Sequence, residues 1–496
     1  MQDDKLNKSS QLYIKKRFFT SRVLTLVSFF LIVFLLAVSA DSQTIDLRPA
    51  ETHATDLRHQ EVENIYHTLL TWINDAKKTI DIEMWNFWQA ERGSMRVLHD
   101  ALQSASDRGV KIRIALGVNH GFEDHVSTEY FGKENILVKI VEPAAHSKYM
   151  VVDDKKVTVG AANWSWTALH QNYEFNLNSE DSRLASAFTY LFESLWASSG
   201  GDITSRGEYW ESDRVKPLAR GRYVPEEFGL ISDEQIKLID SAKDKITISL
   251  YHYKPFYDDL YEQIHKRLIA AAERGVVLTF LIDKDSYKGI DKERIDHLAS
   301  LDNTYIKIID LAPAPPIEGA GASHSKIFLT DSLHGIVSSM NWDRFTFDQS
   351  GRDAGIYFKD PNLYRIIEES VNYSFYSPYA SWAEGQMPLP DKKIFSPSVM
   401  CPRLTNISST SANFLAGFVD DGGADYPAVY FVWQPLSDGG NYWSISSPPE
   451  RIFSPQEITY QIEDLYPDTQ YLVALQAINE AGRSRSQLIN FKTLPQ

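Results

Sequence analysis

"HSKYMVVDDKKVTVGAANWSW", His146 to Trp166, sets His146, Lys148 and Asp153 within eight mostly β-forming residues, and Gly160 and Asn163 follow. "HSKIFLTDSLHGIVSSMNW", His324 to Trp342, repeats the layout with His324, Lys326, Asp331 and Asn341. Strand alternation puts His146, Lys148, Met150 and Val152 on one face, and Ser147, Tyr149 and Val151 on the other. An imidazole and an ammonium then point into the same space, twice in one chain.

The duplication extends outward from the motifs. "INDAKKTIDIEMWNFW", from Ile73, lies on "IDSAKDKITISLYHY", from Ile239, at an offset of 166 residues. Each reads as the end of an amphipathic helix, then an alternating strand: Ile80, Ile82, Met84 and Ile246, Ile248, Leu250. "DRGVKIRIALGV" matches "ERGVVLTFLIDK" with Gly109 on Gly275, where a helix ends and a strand begins. "LVKIV" and "YIKII" supply a third strand pair. The second copy gains about ten residues before His324, the Pro-, Gly- and Ala-rich stretch Leu311–Ser323, a surface loop or an interfacial lid. Alternating strands and helices predict an α/β fold of two similar lobes, 53–213 and 214–385, each a mixed sheet flanked by helices. A shared site is expected where they meet. Segment 386–397 has linker composition.

Residues 398–496 change character. Alternation at Thr410-Ser411-Ala412-Asn413-Phe414-Leu415, then "AVYFVW" and "LYPDTQYLVALQAINEAGRS" between Gly- and Asp-rich turns, predict an all-β sandwich. "LYPDTQY" resembles the approach to the tyrosine corner of fibronectin type III domains, with Tyr471 as the corner residue, and "AINEAGRS" resembles the hairpin that follows. Phe418 or Trp433 is expected to fill the place of the usual strand-B tryptophan.

Composition narrows the function. The 496 residues carry a net charge of −16, which argues against a protein whose main task is wrapping duplex DNA. A single cysteine, Cys401, excludes an intrachain disulfide and a cysteine-based zinc site. It is expected to be structural and near a domain edge. Basic residues in 1–22 precede an uncharged run, Val23–Ala40, that ends in small residues. Segment 23–40 is expected to be a signal peptide or a signal anchor, and the bulk of the chain exported.

Histidine serves as nucleophile or acid–base group near neutral pH, lysine supplies fixed charge, and asparagine adds neutral donors. Two such sets suit a phosphoryl centre, with one imidazole attacking phosphorus and the other protonating the leaving oxygen. No set of residues with metal-ligand spacing competes, so no metal or other cofactor is expected.

The doubled H-x-K-x4-D followed by G-[GSA]-x-N resembles the phospholipase D superfamily over residues 60–385. One copy is His146, Lys148, Asp153, Gly160, Asn163; the other is His324, Lys326, Asp331, Ser339, Asn341, with Ser338 where the family usually has glycine. The resemblance implies that His146 becomes a phosphohistidine and that His324 is general acid, then base. Lys148, Lys326, Asn163 and Asn341 would hold the phosphoryl oxygens. It also implies an acid after each asparagine to orient a histidine across the site, here Glu174 and Asp353. Asp153 and Asp331 complete the candidate set, although they are expected to fix the strand and turn. With both motifs in one chain, a monomer should suffice. A phospholipid at a membrane is the expected substrate, with nucleic acid as the alternative and a catalytically weak scaffold as a third. "EMWNFW" and "YHYKPFY" place aromatics at the site or in the core between lobes.

Overall fold

The computed structural model describes residues 45–52, 62–90, 93–117, 125–141, 145–202, 206–254, 259–313, 321–343, 351–377, 379–386, 397–421, 427–436, 444–445, 456–479 and 482–495. The segments 1–22 and 23–40, most of the linker and the middle of the Leu311–Ser323 insertion lie outside these. Among the described residues no helix is long and apolar enough to cross a membrane.

The first lobe runs β1 (Leu47–Thr52), β2 (Glu63–Asn64), α1 (Ile65–Asp75), β3 (Thr79–Met84), α2 (Gly93–Asp107), β4 (Lys111–Leu116), α3 (Thr128–Phe131) and β5 (Ile136–Ile140). It continues through β6 (Tyr149–Val152), β7 (Lys156–Gly160), α4 (Trp166–His170), β8 (Glu174–Ser179) and α5 (Ser182–Ser198). The second lobe repeats this with β9 (Val215–Arg220), β10 (Gly229–Leu230), α6 (Ile231–Ser241), β11 (Lys245–Leu250), α7 (Asp259–Glu273), β12 (Val277–Asp283), α8 (Gly289–Ala299) and β13 (Thr304–Ile309). The motif strand β14 (Lys326–Thr330), then β15 (His334–Ser338), β16 (Asp353–Lys359), α9 (Pro361–Phe375) and β17 (Ala380–Trp382) complete it. The sheet orders are β2-β1-β8-β7-β6-β3-β4-β5 and β10-β9-β16-β15-β14-β11-β12-β13-β17, one topology used twice with β17 added at the edge of the second.

Local chemistry sets the element ends. Asn64 caps α1 by accepting from His67 N, and Asp360 caps α9 ahead of Pro361 at the first helical position. Gly109 and Gly275 sit at φ +91° and +90°, which turns helix directly into strand in both lobes. On β3, Ile80, Ile82 and Met84 enter the lobe's apolar core. The intervening Asp81 and Glu83 are also buried, facing arginines on the other side of the sheet.

The first lobe starts earlier than residue 53, because β1 pairs with the whole of β8. Each lobe opens on such a strand, "LRPAET" and "VKPLAR", with proline third in both. An internal proline argues against a strand when read locally, because it cannot donate to the ladder. Tertiary pairing of Pro49 with Leu177 and Pro217 with Ile356 overrides that preference.

Residues 398–495 form two antiparallel sheets, β18 (Ser398–Val399), β19 (Arg403–Ile407), β20 (Ala412–Asp420) and β23 (Gln456–Ile462) against β21 (Ala428–Pro435), β22 (Ser444–Ile445), β24 (Gln470–Asn479), β25 (Gly482–Arg485) and β26 (Ile489–Lys492). Phe418 is buried between them and Trp433 packs on the same cluster, so both fill the core. The Tyr471 hydroxyl accepts from Tyr466 N at 2.8 Å, the bond of a tyrosine corner. Cys401 is exposed, with Sγ near Gln487 O.

The lobes meet where β7 and β8 face β14, β15 and β16. Arg352, fully buried, ties them together. Its Nε donates to Glu83 at 3.2 Å, and its other nitrogens donate to the carbonyls of Arg222, Tyr223 and Leu191. Glu83 also accepts from Tyr149 Oη at 2.7 Å. Arg352→Ala would leave Glu83 buried without its cation, a loss of about 3–5 kcal/mol. Chemical denaturation should show that loss, together with disturbance of the neighbouring Asp353.

Candidate active site

Each motif histidine is carried on backbone that the opposite lobe holds. His146 N donates to Arg352 O at 2.8 Å, and His324 N donates to Tyr173 O at 2.8 Å. Short parallel bridges, Ala145 to Arg352 and Tyr173 to Ser323, extend these contacts. The end of the Leu311–Ser323 insertion belongs to the second bridge, with Tyr173 N donating to Ala322 O and Ala322 N to Asn172 Oδ1. That end of the insertion is therefore part of the joint between lobes.

The side chains cross in the same way. His146 Nδ1 lies 2.7 Å from Asp353 Oδ1, and His324 Nδ1 lies 2.8 Å from Glu174 Oε2. Glu174 is the first residue of β8 and Asp353 the first of β16, so equivalent strands supply the two carboxylates. An ionised carboxylate, as Asp353 is for His146, fixes Nδ1 as the N–H donor and makes Nε2 the nucleophilic nitrogen, whereas a protonated one, as Glu174 is below about 8, donates to His324 Nδ1 and leaves the ring proton on Nε2. Lys148 and Lys326 each bond the carbonyl of their own motif histidine. Asn163 Oδ1 accepts from Asn86 N, while Asn341 is buried and its Oδ1 has no hydrogen-bond partner among the described residues.

Two lysines and two carboxylates are thus buried together around two imidazoles. Burial, then the charge of Lys148, holds His146 below its ordinary pKa. Burial and both lysines push His324 lower still. Burial brings Lys148 down to about 7 and Lys326 to about 8. The carboxylates diverge. Burial raises Glu174 to about 8 against the pull of Lys326. Burial acts on Asp353 too, but His146, Lys148 and the Ser339 hydroxyl outweigh it and keep Asp353 below its usual value. Ser339 Oγ donates to Asp353 Oδ1 at 2.6 Å, and the matching first-lobe residue, Ala161, has no hydroxyl to do so.

Of the ten candidates, His146, Lys148, Glu174, His324, Lys326 and Asp353 converge here, and Asp153 and Asp331 do not. The carboxylate of Asp153 accepts from the backbone of Lys77, Lys78 and Thr79, and that of Asp331 from Lys243, Asp244 and Lys245. They stand at the far ends of β6 and β14 in turns where Asp153 and Asp154, and Asp331 and Ser332, all have positive φ. Each fixes its hairpin to the helix–strand junction beside it and is not part of the site. Ser338 is also explained. Gly160 faces Asn176, and a Cβ on Gly160 would lie 2.2 Å from Phe175 O. Ser338 instead faces Gly355, so the glycine has moved to the partner strand.

Trp85 meets His146 edge-on at 5.4 Å, and Tyr251 lies 4.7 Å from His324. Phe87 and Tyr253, two residues on, enter the lobe cores. The aromatic runs therefore serve both places. Arg352, Glu83, Tyr173 and Asp283 support the site and were missed by sequence reasoning. Asp283 Oδ2 accepts from Ser323 N at 2.7 Å and so holds the approach to His324. The equivalent Gly117 packs on Ala145, which shows only once the lobes are superposed on their repeat. Among the described residues no three His, Cys, Asp or Glu side chains gather as metal ligands.

Residues 69–196 and 235–373, more than half of the chain, match the family model described as "Cardiolipin synthase, PLD-like domain". The chain is 22% identical over 349 residues to phospholipase D Z of Dictyostelium discoideum, covering 61% of this chain and 82% of that protein. It is 27% identical over 220 residues to the 5'-3' exonuclease PLD3 of Rattus norvegicus, covering 36% of this chain and 43% of that protein. The crystal structure of a phosphatidylserine synthase of Haemophilus influenzae Rd KW20 shares the fold, with a TM-score of 0.51 at 12% identity over 68% of this chain and 87% of that one.

Two outcomes follow from the geometry. Asp153→Ala removes three backbone hydrogen bonds and should cost about 1–2 kcal/mol in thermal or denaturant unfolding, with His146 still held by Asp353. Sulfate does not titrate in this range, and its binding favours charged lysines whose free values are about 7 and 8. Its affinity should therefore rise as pH falls from about 9 to 6, with proton uptake visible by calorimetry in buffers of different ionisation heat.

Proposed function

The chain belongs to the PLD-like family, and we propose that it is a phospholipase D-type phosphodiesterase working through a covalent phosphohistidine. The crossed pairs His146–Asp353 and His324–Glu174 carry this reading. His146 Nε2 attacks phosphorus while the bond to the leaving oxygen breaks, and His324 gives that oxygen its proton. His324 then takes a proton from water, whose oxygen displaces His146 from phosphorus. Lys148, Lys326, Asn163 and Asn341 hold the oxygens on which charge builds up. The carboxylates support this division of labour. Asp353 stays ionised and makes His146 the better nucleophile, whereas Glu174, raised to about 8, keeps a proton near His324.

The proposed substrate is a phosphatidyl ester, hydrolysed or passed to an alcohol. The acidic chain, at −16, suits a lipid better than a polyanion. A second reading, a nuclease, is favoured by Trp85 and Tyr251, whose rings beside the histidines offer stacking faces for bases. We place the enzyme outside the cytoplasm, released or held by residues 23–40, with the C-terminal sandwich, of fibronectin type III kind, positioning it. Both half-sites lie in one chain, so a monomer is the proposed active form.

The test uses residues 41–496 with a chelator present, on phosphatidylcholine vesicles and on single-stranded DNA. Headgroup release that falls by at least about a thousandfold in His146→Ala supports the lipid reading. DNA cleavage lost in the same variant, with vesicles intact, replaces it with the nuclease. Activity that survives His146→Ala refutes the phosphohistidine. In the active protein, kcat/KM should fall above about pH 7 as the free lysines discharge, and again at pH values below 6.5 as His146 protonates.

A further inference from the structure

The two halves of the cleft share one backbone and differ at its rim. Trp164 N donates to Asn86 O at 2.9 Å and Trp88 N to Trp164 O at 3.0 Å. In the second lobe Trp342 N donates to His252 O at 2.9 Å and Lys254 N to Trp342 O at 2.7 Å. Matching parallel bridges join Phe87 to Trp164 and Tyr253 to Trp342. His252 therefore occupies the place of Asn86, Lys254 that of Trp88, and Asp343 that of Ser165. Three residues without charge in one lobe are two basic groups and a carboxylate in the other.

These groups are organised. His252 Nδ1 lies 2.8 Å from Asp343 Oδ2, which leaves Nε2 as the working nitrogen, and Lys254 Nζ stands 3.1 Å from it. The His252 side chain is 21% exposed and that of Asp343 14%, so the pair is partly desolvated yet within reach of a ligand. The Tyr251 ring stacks on His252 at 4.1 Å, lies 4.7 Å from His324, and has Lys326 over it at 5.2 Å. The cluster thus adjoins the general acid, on the side from which the leaving alcohol departs. The phosphoryl chemistry uses neither His252 nor Lys254.

We propose that His252 and Lys254, with Asp343 holding the imidazole, form a second anion subsite that takes a phosphate carried by the leaving alcohol. This rests on the assignment of His324 as general acid. It narrows the substrate class to phosphodiesters with a second phosphate a short way along the leaving group. The Lys254 ammonium donates to such a group directly, and His252 Nε2 donates once the phosphate's charge, with Asp343 on Nδ1, draws a proton onto the ring; these are charge-assisted hydrogen bonds that the uncharged rim of the first lobe cannot make.

The probes are propylene bisphosphonate and propylphosphonate, as inhibitors of bis(p-nitrophenyl) phosphate hydrolysis. The bisphosphonate should inhibit at least about tenfold more strongly, and the ratio should fall to about one in His252→Asn and Asp343→Ser, which install the first-lobe residues, and in Lys254→Met. A ratio near one in the unaltered protein, or one that survives the substitutions, overturns the subsite. If the protein hydrolyses nothing, the phosphodiesterase reading fails separately, and thermal shifts by the two phosphonates still decide the subsite. Cardiolipin against phosphatidylglycerol, and the thymidine dinucleotide with against without a terminal phosphate at either end, then identify the source. Preference for the doubly phosphorylated member in one pair assigns lipid or nucleic acid. Preference in neither pair overturns the proposal.

Discussion

The structure depends on a carboxylate from one lobe holding the imidazole of the other. His146 with Asp353 and His324 with Glu174 are long-range pairs, separated by 207 and 150 residues. Neither lobe can orient its own histidine. A competent site therefore requires the two sheets to meet in one register, and much of the buried polar structure serves that register. Arg352 shows the economy of this arrangement. Its side chain binds Glu83 of the first lobe, its carbonyl accepts from His146 N, and the next residue is Asp353. Fold cohesion and imidazole geometry run through two consecutive residues.

Burying two ammoniums and two carboxylates in one place is costly unless each compensates another. Here each motif histidine meets a carboxylate of the other lobe, and each lysine donates to its own motif histidine's carbonyl. The compensation is incomplete, as the depressed lysines and the raised Glu174 show. A phosphodiester anion, the proposed substrate class, would supply the missing negative charge. Fixed charges arranged in this way would stabilise the proposed transition state without reorganising.

The sequence showed what local pattern and repetition can show. Period-two alternation located β3 and β11, glycines at constant offset marked Gly109 and Gly275, the doubled motif marked both histidines and both lysines, and the family resemblance pointed to Glu174 and Asp353. Asp153 and Asp331 belong to the motif by spacing and serve its far end, a strand away from the histidines. What the sequence left unread has physical causes. β1 and β9 were hidden by Pro49 and Pro217, because a ladder formed with β8 or β16 is invisible to local preference. Arg352 and Glu83 carry no motif; only the docked lobes reveal a buried ion pair between residues so far apart in the chain.

Duplication made both the symmetry and the means of departing from it. Groups that the proposed mechanism uses are kept in pairs: two histidines, two lysines, two asparagines and two carboxylates. One shell outward the pairing lapses. Ser339 hydrogen-bonds Asp353 where Ala161 cannot bond Glu174, and Glu83 pairs with Arg352 where the matching Ser249 bonds Ser325. A symmetric site offers a phosphodiester two equivalent orientations, and each histidine would be nucleophile in one of them. Differences in this outer shell break that degeneracy by giving the two imidazoles unequal carboxylates. A divided mechanism, with one histidine attacking and the other supplying a proton, needs that inequality more than it needs any further group at phosphorus.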